Sequence, residues 1–155
     1  MDLILWRHAE AHVIKEGQTD LERALTTKGE RQAHRMAEWL NQRMAHTTRV
    51  LVSPALRCQQ TAKALGRSFK TIDTLGPEHD ALELLSAARW PESIEPVLVV
   101  GHQPTLGLAA ALLMTGAPQP WSVKKGAVWW LRDRDRGRDE AAHVVLLAVQ
   151  SPDFL

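Results

Sequence analysis

The chain of 155 residues amounts to one domain, long enough to bury a single sizeable core. Its apolar fraction of 45% and charged fraction of 24% are ordinary for a globular protein, and 19 Lys+Arg against 18 Asp+Glu leave a net charge of +1. That balance argues against the basic face of a nucleic-acid binder, the single Cys58 excludes an intramolecular disulfide or a thiolate zinc cluster, and no stretch has the length of a membrane span. The start, Asp2 followed by a short apolar run, lacks the basic opening and long apolar stretch of a signal peptide, so a cytoplasmic, soluble protein is expected.

Asp2 to Trp6 reads as a short buried strand stopped by Arg7 and His8. Ala9 to Leu25 has no period and reads as loop. Thr27-Lys28-Gly29-Glu30 matches a capping box with Thr27 as N-cap, and Ala33, Met36, Ala37, Leu40 and Met44 follow at helical spacing. Arg49 to Val52 is a second short strand. Ser53-Pro54 then opens a helix, Ser53 as N-cap and Pro54 at the first helical position, with Gly66 as its stop. Thr71 to Leu75 reads as a weak strand and Ala81 to Arg89 as a helix ended by Pro91. Val97 to Val100 is the clearest buried strand. Leu106 to Met114 is a helix closed by Gly116, and Ala127 to Leu131 and His143 to Val149 are two more strands joined by the charged turn Arg132 to Arg138. Trp6, Trp129 and Trp130 read as core or pocket wall. Strands alternating with helices give an α/β class with a mainly parallel sheet, mixed where the last two strands pair antiparallel. No repeat or linker divides the chain, so 1–155 is expected to be a single domain.

Three of these strands end in residues suited to an anion: Arg7-His8, Ser53-Pro54 with Arg57 one turn on, and Gly101-His102. In open α/β sheets ligands bind outside the carboxyl ends of the strands. If the three are parallel neighbours, two guanidinium groups, two imidazoles and a helix N-terminus surround one volume. Guanidinium forks bind phosphate oxygens bidentately and helix N-termini add N–H groups, so the expected ligand is a phosphoryl group. A neutral imidazole is a good nucleophile near pH 7, and nearby cations offset charge on the transferred oxygens.

The motifs Arg7-His8-Ala9, Leu25-Thr26-Thr27-Lys28-Gly29, Ser53-Pro54-Ala55-Leu56-Arg57-Cys58-Gln59-Gln60-Thr61 and Val99-Val100-Gly101-His102 resemble, in order and over almost the whole chain, those of the histidine phosphatase superfamily. The short length and the first motif are most similar to its SixA-type phosphohistidine phosphatases. The resemblance implies a phosphoglycerate-mutase-like fold, a three-layer sandwich of a mixed central sheet flanked by helices. It implies His8 as a nucleophile forming a covalent phosphohistidine, Arg7 and Arg57 holding phosphoryl oxygens, His102 as the second pocket histidine, and Arg23 at the pocket mouth. Ser53 is read chiefly as the helix cap and is retained as a substrate contact. The sequence departs from the wider family at Ala9, where most members carry Gly. The acidic proton donor of many members has no clear counterpart either; Glu78, His79, Asp80 and Glu83 are its candidates.

The implied function is a phosphohistidine phosphatase acting on a phosphorylated protein of the phosphotransfer or phosphorelay kind. The alternatives are a small-molecule phosphomonoesterase or mutase of the same fold and a non-catalytic phosphate-binding module. No cofactor, metal, nucleic acid or membrane is expected as a partner. His8-Ala9-Glu10 opens like a zinc deaminase signature, whose second half needs two cysteines. His8, Glu10 and His12 lie on a predicted loop, not at helical zinc-protease spacing, and no P-loop is present.

Overall fold

The structure is a computed structural model that describes residues 1–134 and 143–155. Most of the predicted charged turn, from Asp135 onward, therefore lies outside the described residues. Six strands form one sheet: β1 (Asp2–Arg7), β2 (Arg49–Val52), β3 (Lys70–Thr71), β4 (Val97–Gly101), β5 (Val128–Asp133) and β6 (Val144–Gln150), in the order β3-β2-β4-β1-β5-β6. The first four are mutually parallel, while β5 pairs antiparallel with both β1 and β6. The sheet is thus mixed, with the antiparallel strands at one side.

Four helices, α1 (Thr27–Asn41), α2 (Leu56–Lys63), α3 (Ala81–Ala87) and α4 (Thr105–Thr115), complete the three layers. Leu3 and Leu5 of β1 pack with Leu84 of α3 and Leu106 and Ala110 of α4. Ile4 and Trp6, one step out of phase, pack with Met36 and Leu40 of α1 and Cys58 and Ala62 of α2. A parallel strand covered by helices on both faces must be apolar at every position, which explains the unbroken runs Leu3–Trp6 and Val97–Val100. Trp129 and Trp130 follow the same alternation: Trp130 lies on the α1 side, edge-on to Trp39, and Trp129 packs near Trp121 on the other face.

Several local expectations shift. The N-cap of α1 is Thr26, whose Oγ1 accepts from Gly29 N–H at 2.9 Å, one residue before the expected Thr27. The helix after β2 starts at Leu56 with Ala55 as its cap residue, so Ser53 does not cap it. Thr71–Leu75 is not a strand. β3 has two residues, and a 3-10 turn, Asp73–Leu75, follows once Ile72 N–H has bonded Val52 O at 2.9 Å.

Candidate active site

β4 lies between β1 and β2, and the register aligns their ends: Arg7 faces Gly101 and Val52 faces Val100. The ladder runs one step past the strands, with His8 N–H on Gly101 O and Ser53 N–H on Val100 O, both at 3.1 Å. His8, Ser53 and His102 therefore leave the sheet abreast. The His8 and His102 rings sit 5.4 Å apart between centroids, and Arg57, from the first turn of α2, is buried beside them.

His8 Nδ1–H donates to its neighbour's carbonyl, Ala9 O, at 2.7 Å. A carbonyl can only accept, so the proton is on Nδ1 and the lone pair is on Nε2. Burial pushes the imidazole down to about 4, and Arg57, Arg7 and Arg23 add to the effect against the opposing Ala9 carbonyl. His8 is neutral across the physiological range, as a nitrogen nucleophile requires. Ala9 is fully buried, does not lie in the left-handed backbone region, and donates its N–H to Thr61 Oγ1 at 3.1 Å. The chain leaves the histidine without needing glycine there.

His102 is held from both sides. A guanidinium can only donate, so Arg57 Nη2, 3.3 Å away, gives a proton to Nδ1. The ring proton is then on Nε2, which donates to Ser53 Oγ at 2.7 Å. Ser53 Oγ also accepts from Ala55 N–H at 3.2 Å, and Cys58 Sγ lies 3.5 Å from the same ring nitrogen. Burial lowers His102 to about 3, with Arg57 and His8 contributing, while burial drives the Cys58 thiol up to about 12. Ser53, retained from the sequence as a substrate contact, here accepts the Nε2 proton of His102, whose tautomer follows from the Arg57 bond to Nδ1.

The two arginines are anchored by their tips. Arg7 Nη1 donates to Val123 O at 2.8 Å. Arg57 Nη1 and Nη2 donate to Asp20 O and Asp20 Oδ2 at 2.8 and 2.9 Å. Their Nε groups, by contrast, are both buried with no hydrogen-bond acceptor among the described residues. Arg23 belongs to the same network, with Nε on Asp20 Oδ1 at 2.9 Å and Nη1 on His12 O at 2.9 Å.

Asp20 is the residue the sequence did not single out. Its only signal was the Asp20-x-x-Arg23 spacing, which puts acid and base within reach across one turn. Burial opposes ionisation of its carboxyl, but hydrogen bonds from Arg57 and Arg23 outweigh it and hold the group below the usual carboxylate range. The proton-donor candidates are placed differently. Asp80 and Glu83 cap α3 reciprocally, and His79 Nδ1 lies 2.8 Å from Glu83 Oε2. Glu78 and His79 line a pocket of about 290 Å³ together with Asp20, the partner of Arg57, and Pro54.

The second motif proves to be a clamp on the chain behind His8. Thr26 N–H bonds Glu10 O at 3.0 Å, and Thr26 Oγ1 donates to Glu10 Oε2 at 2.8 Å. A Cβ on Gly29 would collide with the Glu10 carbonyl, which explains glycine inside a helix.

Comparison with known proteins points the same way. Phosphohistidine phosphatase SixA of Escherichia coli (strain K12) is 34% identical over 129 residues, covering 77% of this chain and 78% of that protein. The SixA homolog of Haemophilus influenzae is 30% identical over 129 residues, covering 73% and 77%. The solved structure of the protein histidine phosphatase SixA complexed with tungstate superposes with a TM-score of 0.78, at 28% identity, over 99% of both chains. The family model of the histidine phosphatase superfamily, branch 1, matches residues 3–80, and with these relatives it makes the chain a member of that superfamily.

Proposed function

We propose that the protein is a phosphatase that removes a phosphoryl group from a histidine of another protein through a covalent intermediate on His8. The observation that carries this reading is the pair of buried, acceptorless Nε–H groups of Arg7 and Arg57 beside a histidine whose Nε2 holds a lone pair. Buried donors cost free energy unless an acceptor meets them, and a phosphoryl oxygen for each meets that need. In the first step His8 Nε2 forms a bond to phosphorus. The P–N bond to the substrate imidazole breaks, and its electron pair stays on that imidazole nitrogen. In the second step water attacks phosphorus, the P–Nε2 bond breaks with its pair returning to His8, and the water proton leaves with inorganic phosphate or to solvent.

The leaving group separates the two catalytic alternatives. An alkoxide must be protonated as it departs. Asp20, ionised between two guanidinium groups, is a poor acid, and Asp80 and Glu83 are committed to α3. A phosphorylated imidazole nitrogen is basic enough to carry its own proton. The name of the 34% identical relative, a phosphohistidine phosphatase, supports the same substrate class. The ester reading rests on Glu78 and His79, which line the pocket beside Asp20.

The test compares kcat/KM for a phosphohistidine-bearing protein with that for sugar phosphates near pH 7. A preference of roughly 100-fold, about 2.7 kcal/mol, is expected. Rapid quench with labelled substrate should trap acid-labile, base-stable label that His8→Ala abolishes. Equal turnover of a sugar phosphate moves the assignment to a phosphomonoesterase. Unchanged labelling in His8→Ala removes the nucleophile, and binding without turnover or label leaves only a phosphate-binding module.

A further inference from the structure

A second concavity lies away from the histidines. An open groove of about 780 Å³ lies at the other end of β2, lined by Thr48 and Arg49 where the strand begins, by Ser68, Phe69 and Lys70 at β3, and by Arg89 just past α3. Its volume falls in the range of small-molecule sites, roughly 300–1,000 Å³. Three cations meet there. Lys70 and Arg89 are exposed and make no ion pair among the described residues, and Arg49 has only a 3.3 Å hydrogen bond from Nη1 to Ser93 Oγ. Arg49 feels its own burial first and the charge of Arg89 next, with Glu95 working the other way. Cations that repel each other across a concave surface lower their energy by taking up an anion.

Two further features bear on the chemistry of the groove. Arg89 has φ 55, the one non-glycine residue at positive φ among those described. Arg89 N–H bonds Ser86 O and Trp90 N–H bonds Leu85 O, both at 3.0 Å, so this left-handed residue closes α3 and fixes where the arginine leaves the helix. Thr48 Oγ1 is buried at the groove and has no hydrogen-bond partner among the described residues. The half-buried ring of Phe69 adds a flat apolar wall.

We infer that this groove is a second anion site, distinct from the active site, which binds a nucleotide-sized polyphosphate across Arg49, Lys70 and Arg89 with Phe69 against its apolar part. Arginine forks suit phosphate oxygens, and three separated cations suit more than one phosphate. The site shares β2 with the active site, Arg49 opening the strand and Ser53 following its last residue. The inference uses none of the catalytic assignments.

The experiment is a calorimetric titration of the intact protein with β,γ-methylene ATP, which resists loss of its terminal phosphate, and in parallel with pyrophosphate. Saturable binding is expected in wild type and in Arg57→Ala. It should weaken about tenfold in Lys70→Ala and in Arg89→Gly, a factor that loss of one charged contact readily gives. Glycine suits φ 55, so Arg89→Gly should melt no lower than wild type, and both groove variants should keep wild-type phosphatase activity. Lys70 is exposed, so its variant keeps the test sound if Arg89→Gly fails to fold. No binding by wild type overturns the site, as does binding that Arg57→Ala removes while Lys70→Ala and Arg89→Gly leave it intact. Pyrophosphate binding without the nucleotide analogue overturns the nucleotide-sized ligand.

Discussion

Arg57 ties the loop before α1 to the pocket histidines. Its tips grip Asp20, one of them also reaches His102, and its Nε faces inward without an acceptor. The planar fork alone makes these simultaneous, since a lysine ammonium is a point charge with no second arm. Arg57→Lys should therefore lose substantial activity and Arg57→Ala more, roughly 100-fold or beyond, as for removal of one transition-state contact. Steady-state kcat/KM on a single phosphohistidine protein measures this, and wild-type turnover in either variant would put Arg57 outside the chemistry. Asp20 shows where sequence reading ran out at this scale. The contact spans 37 positions and comes from an aperiodic stretch, so nothing local marked it. Arg7, His8, Arg57 and His102 could be seen because each sits at or just past a strand end, where geometry follows from pattern.

At the scale of elements, the strands that place the site were legible because burial on both faces forces unbroken apolar runs. The loops were not, because they are held by individual hydrogen bonds: Gln60 Oε1 takes Leu25 N–H at 2.7 Å and Gln32 Oε1 takes Glu10 N–H at 3.0 Å. The cap of α1 slipped by one residue for a related reason. Two adjacent threonines can each serve as N-cap, and the bond from Thr26 to Glu10 decides between them. The close approach of α1 to the chain behind His8 gives an expectation of its own. Gly29→Ala should cost about 1–3 kcal/mol, as overpacking does, and should lower kcat/KM by displacing Glu10 and the backbone of Ala9. Urea denaturation and kinetics on the same preparation check both, and a variant unchanged in each would show that the helix yields freely.

For the molecule as a whole, two buried neutral histidines tie stability to pH. His8 and His102 titrate at about 4 and about 3 when folded, against an ordinary 6.5 when unfolded. Between these values the unfolded chain binds protons that the folded one does not. Their contribution is full above pH 6.5 and is lost progressively as the pH falls toward 4, by up to about 1.4 kcal/mol per pH unit for each histidine. The urea midpoint should fall between pH 7.5 and pH 5, and His102→Asn should flatten that dependence; identical midpoints at both pH values would contradict it. The strand order also bears on how the molecule is made. β4 comes last of the three strands at the site yet lies between the other two, with Val97 paired to Leu3 on one side and to Arg49 on the other. During synthesis β1 and β2 emerge before β4, the strand that pairs with both, so the sheet register that sets His8 and Ser53 abreast is completed only after residue 97. The antiparallel pair β5 and β6 is local and free to form early, whereas threading a central strand between two others is a slow, non-local event. In refolding experiments catalytic activity should return in the slowest phase, after far-UV ellipticity has largely recovered. Activity returning ahead of the ellipticity would mean that β4 inserts first.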